Sequence, residues 1–162
     1  LIISETRHGF VCANAGIDLS NVERGWAALL PEDPDRSARR IRDGIRGRTG
    51  TEVGVVVSDT FGRTWRRGVT DVAIGSAGLI PVLDLRGTAD AYGRELQVTE
   101  VAVVDEIAGA ADLVMGKSTG VPVAIVRGLG DEVFSPRRDY GTEEHRGVLG
   151  DVVRSPAEDL FR

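Results

Sequence analysis

The chain has 162 residues, 41% of them hydrophobic and 28% charged, with a net charge of −5. That balance fits one globular domain, or two small lobes sharing a core, and supplies no basic field for nucleic acid or an anionic membrane. Its one cysteine, Cys12, excludes a disulfide framework and makes a reducing, cytoplasmic setting the expectation; no apolar run is long enough to span a membrane.

The chain opens on Leu1-Ile2-Ile3, an apolar, strand-like start that reads as an interior point of a longer sequence. Phe10 to Ile17 reads as a small-residue strand ending at Asp18. Ser20-Asn21-Val22-Glu23 has the spacing of a capping box. Trp26 to Leu30 reads as a second short strand. Asp33-Pro34 then opens a helix, with Asp33 as N-cap and proline in the first turn. Ala38, Ile41 and Ile45 recur at helical spacing along it.

Val53 to Val57 is a β-branched run, the pattern of a buried strand, and it runs into Ser58-Asp59-Thr60. Phe61 to Gly68 reads as a polar, arginine-rich loop. Val69 to Ile74 and Leu79 to Leu85 read as strands, the second an edge or bulged one because of Pro81. Thr99 is the expected N-cap of a helix over Glu100 to Met115. Val101, Val104, Ala108, Ala111 and Met115 share one face of it, and Gly116 stops it. Val121 to Val126 reads as another buried strand. Residues 129–150 read as a long surface loop. Ser155-Pro156-Ala157-Glu158 is a second capping box, and the sequence stops as that helix begins.

Three places carry candidate chemistry. Asp18 and Asp59 each close an apolar strand, where ligands gather in α/β sheets. Two such carboxylates, with the Thr60 hydroxyl, suit a hard divalent cation; aspartates also cap ordinary turns. Met115-Gly116-Lys117-Ser118-Thr119-Gly120 contains GKST but is not a Walker A loop. Gly109 is two residues too far upstream, and the helix precedes the lysine. It reads either as a phosphate-cradling loop or as a helix stop with Lys117 complementing the dipole. Lys117 is notable as the one lysine beside nineteen arginines. Finally, Phe61-Gly62-Arg63-Thr64-Trp65-Arg66-Arg67-Gly68 offers guanidinium forks for phosphate or carboxylate, or is a solvated loop in an arginine-rich protein.

A series of segments keeps a distinctive order: Ala13-Asn14-Ala15-Gly16-Ile17-Asp18-Leu19-Ser20-Asn21, Pro31-Glu32-Asp33-Pro34-Asp35 and Ser58-Asp59-Thr60-Phe61-Gly62-Arg63. It continues through Asp71-Val72-Ala73-Ile74-Gly75, Asp84-Leu85-Arg86-Gly87 and Ala89-Asp90-Ala91-Tyr92-Gly93-Arg94. Asp105-Glu106, Gly116-Lys117 and Arg127-Gly128 complete it. In this order the segments resemble the coenzyme F-420:L-glutamate ligase family, and the resemblance spans Glu5 to Gly128. Thr64 stands where the family pattern has proline.

The resemblance implies an α+β fold with mixed sheets and flanking helices, part of a two-lobed ligase domain that lacks its N-terminal part here. It implies a GTP-dependent ligase that adds L-glutamate, γ-linked, to coenzyme F-420-0 through an acyl phosphate. The alternatives are a related acid–amino acid ligase on another phosphorylated carboxylate, and a non-catalytic nucleotide-binding fragment. Divalent manganese or magnesium, potassium, and a homodimer come with the resemblance. By it, Asp18 and Asp59 are metal ligands, Thr60 ligates a second metal, and Asn21 contacts the nucleotide. Gly116, Lys117, Ser118, Thr119 and Gly120 hold nucleotide phosphates. Arg63 and Arg66, beside Asp59, are expected to grip the anionic substrate.

Overall fold

A computed structural model describes residues 2–134 and 145–159 of the chain. In chain order the elements are β1 (Ile3–Glu5), β2 (Val11–Ala13), α1 (Pro34–Thr49), β3 (Val55–Arg63) and β4 (Arg66–Ala77). β5 (Leu83–Asp84), β6 (Glu100–Val101), α2 (Val103–Met115) and α3 (Val148–Asp151) follow. The fold is α+β. The sheets are not mixed: β1 with β2, β3 with β4, and β5 with β6 are each antiparallel.

The β3–β4 ribbon is the frame, and α1 and α2 both pack on β4. Phe10, Cys12, Ala73, Ile74, Leu79, Val103, Val104, Val133 and Val148 form the buried cluster. β3 is longer than its apolar run suggests, because pairing continues through Ser58-Asp59-Thr60 to Arg63. Phe61 anchors that extension by packing edge-on against Phe10, with ring centroids 5.8 Å apart. The stretch from Phe61 to Gly68, expected as a loop, is therefore mostly ladder, and only Thr64-Trp65 turns the chain.

α1 begins and ends where its sequence says. Asp33 Oδ1 accepts the Arg36 N–H at 2.7 Å, and Gly50, at φ +70°, closes the C-terminus with its N–H on Arg46 O. Its inward face differs from the expected one. Pro34, Asp35, Ala38 and Arg42 are buried, while Ile41 and Ile45 are exposed. The buried Asp35 carboxylate sets that rotation by accepting Ser76 N at 2.8 Å, Val148 N at 2.9 Å and Leu149 N at 3.1 Å. Gly75 lets β4 come close beneath it, since a Cβ there would overlap the Pro34 carbonyl group.

Other expectations are corrected too. Glu100–Val101 is a strand paired with Leu83–Asp84, so α2 starts at Val103 behind Ala102, which makes no side-chain cap; Thr99 caps nothing. Phe10 to Ile17 holds only a three-residue strand before a 3₁₀ turn over Asn14–Gly16, and Trp26 to Leu30 holds a single bridge, Ala28 to Asp18. Val121 to Val126 has no ladder partner among the described residues and is largely exposed. Of the expected surface loop, residues 135–144 lie outside the described residues. The rest is partly core, because Val133 and Val148 are buried. At Ser155 half of the capping box forms, with Glu158 Oε2 accepting the Ser155 N–H at 3.4 Å; the Ser155 hydroxyl donates to the same oxygen at 2.8 Å, and the segment is a turn.

Candidate functional site

The site is assembled from three places: the turn after β2, the middle of β3, and the end of α2. Asn14 and Ala15 (φ +52° and +53°) and Gly16 (φ +72°) turn the chain sharply after β2. Gly16 is needed there twice over, for its φ and because a Cβ would strike Leu30. The turn delivers Asp18, which is held by backbone bonds to Ala28 at 2.8 and 3.0 Å. Its carboxylate accepts Ser20 N–H at 2.7 Å and Ser20 Oγ–H at 2.8 Å. Those bonds, helped by the Lys117 charge, hold its pKa below the ordinary range. The expected capping box at Ser20 is not made, because Asp18 takes the Ser20 hydroxyl.

On β3, a register shift between Val57 and Ser58 leaves Ile74 of β4 bulged out. Beyond it, neighbouring side chains face opposite sides of the ribbon. Ser58 Oγ and Thr60 Oγ1 both donate to Asp71 of β4, each at 2.8 Å. Asp59 lies on the side of β2, where its charge raises the Cys12 thiol pKa further after burial has done most of the work. Asp59 itself is pushed above the ordinary carboxylate range. Burial is the main cause, opposed by the Thr60 N–H and Lys117 and reinforced by the charges of Asp18 and Asp71.

α2 ends at Gly116, whose N–H bonds to Asp112 O and whose φ of +63° reverses the chain. Thr119 Oγ1 ties back to Met115 O and closes the turn. Lys117 then reaches β3, with Nζ donating to Thr60 Oγ1 at 2.9 Å. Asn21, at φ +53°, donates its Nδ2–H to Lys117 O at 3.2 Å, bridging the Asp18 turn to the loop 96 residues away.

Of the residues singled out in the sequence, Lys117 joins Thr60 and Asn21 by hydrogen bonds, and Asp18 and Asp59 lie within reach of its charge, Asp59 from the face of β3 opposite to Thr60. Gly116, Ser118, Thr119 and Gly120 form the exposed loop beside them. Arg63 and Arg66 do not join them: they pair across the tip of the hairpin and are exposed. Four residues of strand put Arg63 about 13 Å along β3 from Asp59. Asp71 was missed as a site residue. Its only signal is its register opposite Thr60, which spacing along the chain does not reveal.

The donor set is all oxygen, which suits a hard cation. Among the described residues no three His, Cys, Asp or Glu side chains gather as a metal cage. Two carboxylates and a hydroxyl match the sparse protein share typical of magnesium-type sites, where water and phosphate complete the shell.

The sequence profile of the F420-0:Gamma-glutamyl ligase family matches residues 1–128. The chain is 57% identical to the Coenzyme F420:L-glutamate ligase of Methanothermobacter thermautotrophicus, covering 99% of this chain and 61% of that protein. It is 49% identical to the enzyme of the same name from Methanopyrus kandleri, with 99% and 62% covered. For that of Methanocaldococcus jannaschii the identity is 44%, with 99% and 60% covered. The chain therefore spans about three-fifths of the length of these relatives. With a profile match over most of its length and identities of this size, the chain belongs to the F420-0:gamma-glutamyl ligase family.

Proposed function

We propose that this chain is the catalytic part of a ligase that uses GTP to activate the terminal carboxylate of coenzyme F420-0 and joins L-glutamate to it. The observation that carries the reading is the meeting of Asp18, Asp59 and Thr60 with the Gly116–Gly120 loop, joined by Lys117 and Asn21. An acidic pair and a glycine-bounded loop with exposed hydroxyls, side by side, are what phosphoryl transfer to a carboxylate requires. Asp18 and Asp59 would hold one divalent manganese or magnesium ion and Thr60 would ligate a second; such ions when bound neutralise charge on the transferring phosphoryl group.

The chain's own residues do the rest by position. The backbone N–H groups of Ser118 and Thr119 and the Ser118 hydroxyl would contact the phosphates, and Asn21 ties that loop to the turn that carries Asp18. The carboxylate oxygen of the acceptor attacks the γ-phosphorus and GDP leaves. The glutamate amine then attacks the acyl carbon, the carbon–oxygen bond to phosphate breaks, and an amide remains with loss of one proton. Arg63 and Arg66, exposed at the hairpin tip, would contact a distal anionic group of a long substrate and not the reacting carboxyl.

The test is a mass-spectrometric ligation assay with GTP, Mn²⁺, glutamate and F420-0. It is run with the chain alone and with the remaining portion of a relative's length supplied. The parent gains glutamyl mass in at least one tube. Asp59→Asn keeps its far-ultraviolet spectrum and loses turnover on the order of a thousandfold, since a lost metal ligand removes several kcal/mol of transition-state stabilisation. An unchanged rate in that variant removes the metal role of Asp59. Absence of product from folded parent in both tubes removes the acceptor assignment.

A further inference from the structure

Lys117 is positioned with more care than an exposed lysine ordinarily receives. Its carbonyl is held by Asn21, the preceding Gly116 sits at φ +63°, and Thr119 closes the turn on Met115. Its ammonium donates to Thr60 Oγ1 at 2.9 Å. That oxygen has spent its own hydrogen on Asp71 Oδ1 at 2.8 Å, so only lone pairs remain to face outward. The line therefore runs one way, from Lys117 through Thr60 to Asp71, and Asp71 orients the hydroxyl as an acceptor towards a cation. Asp18 and Asp59 both feel the same ammonium charge.

We propose that Lys117 is a resident cation: before ligand binds, its ammonium holds the place beside Thr60, Asp18 and Asp59 that a divalent ion takes, and the arriving ion displaces it. The inference rests on the metal reading of the site given above. An ammonium and a divalent ion cannot share the outward face of one hydroxyl at low cost, because like charges a few ångströms apart repel each other. Displacement also frees a cation beside the loop assigned to the nucleotide phosphates. Binding of the metal would thus release a phosphate contact that is masked beforehand.

The test is Mn²⁺ affinity without nucleotide, measured by electron paramagnetic resonance on the whole chain. Lys117→Met binds Mn²⁺ about tenfold more tightly than the parent at low salt, Lys117→Arg binds like the parent, and the gap narrows as ionic strength rises. The chain's single lysine allows a second reading that needs no substitution at Lys117. In protein labelled with ¹³Cε-lysine, the one signal moves on addition of Mg²⁺ in the parent and stays in place in Asp59→Asn. Equal or weaker Mn²⁺ binding by Lys117→Met, or a lysine signal unmoved while Mg²⁺ binds, overturns the proposal and leaves the metal site standing. Mn²⁺ bound by neither protein, or bound equally by the parent and Asp59→Asn, overturns both.

Discussion

Asp35 accepts backbone N–H groups from two distant parts of the chain, Ser76 on β4 and Val148 and Leu149 at the start of α3. It is 3% exposed, and Ser76 and Val148 are buried with it, so their N–H groups would be left without a ready partner if the carboxylate left. Asp35→Ala should lower unfolding free energy by about 3–5 kcal/mol, the range for breaking a buried charged network. Asp35→Asn should cost less but still more than 1 kcal/mol, since its amide turns a donor towards one N–H. Urea titration reads both, and a loss under about 0.5 kcal/mol for the alanine would remove the hub role. In the sequence this residue looked like any acid near a helix N-terminus, where the dipole alone accounts for it. The Asp33 cap was legible because it is local; Asp35 and Asp71 were not, because their partners lie on other elements.

Asp105 offers a test by pH. Its carboxylate accepts Ala73 N–H at 2.9 Å, and burial holds its pKa above the ordinary value despite that bond. An acid with a raised folded pKa binds its proton more tightly when folded. Its contribution therefore falls as pH rises from the ordinary value of 3.8 through the raised one, and stays low above it. Asp105→Asn keeps an acceptor for Ala73 and removes that slope. It should match or exceed the parent's stability at pH 7 and lose the advantage towards pH 4. Asp105→Ala leaves the N–H unpaired and should cost about 1–3 kcal/mol at both pH values. Thermal melts across that range check the sign. An asparagine variant with the parent's slope would exclude Asp105 as its source.

At the scale of elements, the contact between α1 and β4 is the tightest seam. Gly75 lies on the buried half of β4, and a side chain there would overlap the Pro34 carbonyl and the Asp35 amide. Gly75→Ala should cost upwards of about 3 kcal/mol, because both sides of the clash are backbone and neither can swing away. Gly62→Ala, on β3 with open space around it, is the control and should change stability by under about 1 kcal/mol. The ends of α1 were legible because cap, proline and terminal glycine are local signals. The length of β3 was not. Ser58-Asp59-Thr60 looks like a strand ending, and only pairing with β4 and the contact of Phe61 with Phe10 show that it continues. The consequence reached the site reading, since it moved Arg63 and Arg66 along a rigid hairpin and away from Asp59.

At the scale of the whole molecule, the apolar residues left outside the core form a pattern. Val121, Val123 and Ile125 alternate along a segment without regular secondary structure and are 47%, 72% and 78% exposed, and Leu113 and Val114 at the end of α2 are also exposed. Its apolar residues have the two-residue period of a strand, but the segment belongs to no sheet among the described residues and leaves an apolar face uncovered there. The expectation of a buried strand over Val121 to Val126 is therefore overturned, and nothing among the described residues supplies its burial. We propose that a second copy supplies it. The chain by itself should then sediment as a concentration-dependent dimer or larger species. Val123→Lys with Ile125→Lys should shift it to monomer while the far-ultraviolet spectrum and the Mn²⁺ affinity stay unchanged, because neither residue belongs to the metal site. A parent that is monomeric at all concentrations but binds a hydrophobic dye, with the dye signal lost in the double variant, would keep the face apolar and available. It would assign that face to a different polypeptide segment, such as the portion of the relatives' length that this chain does not span.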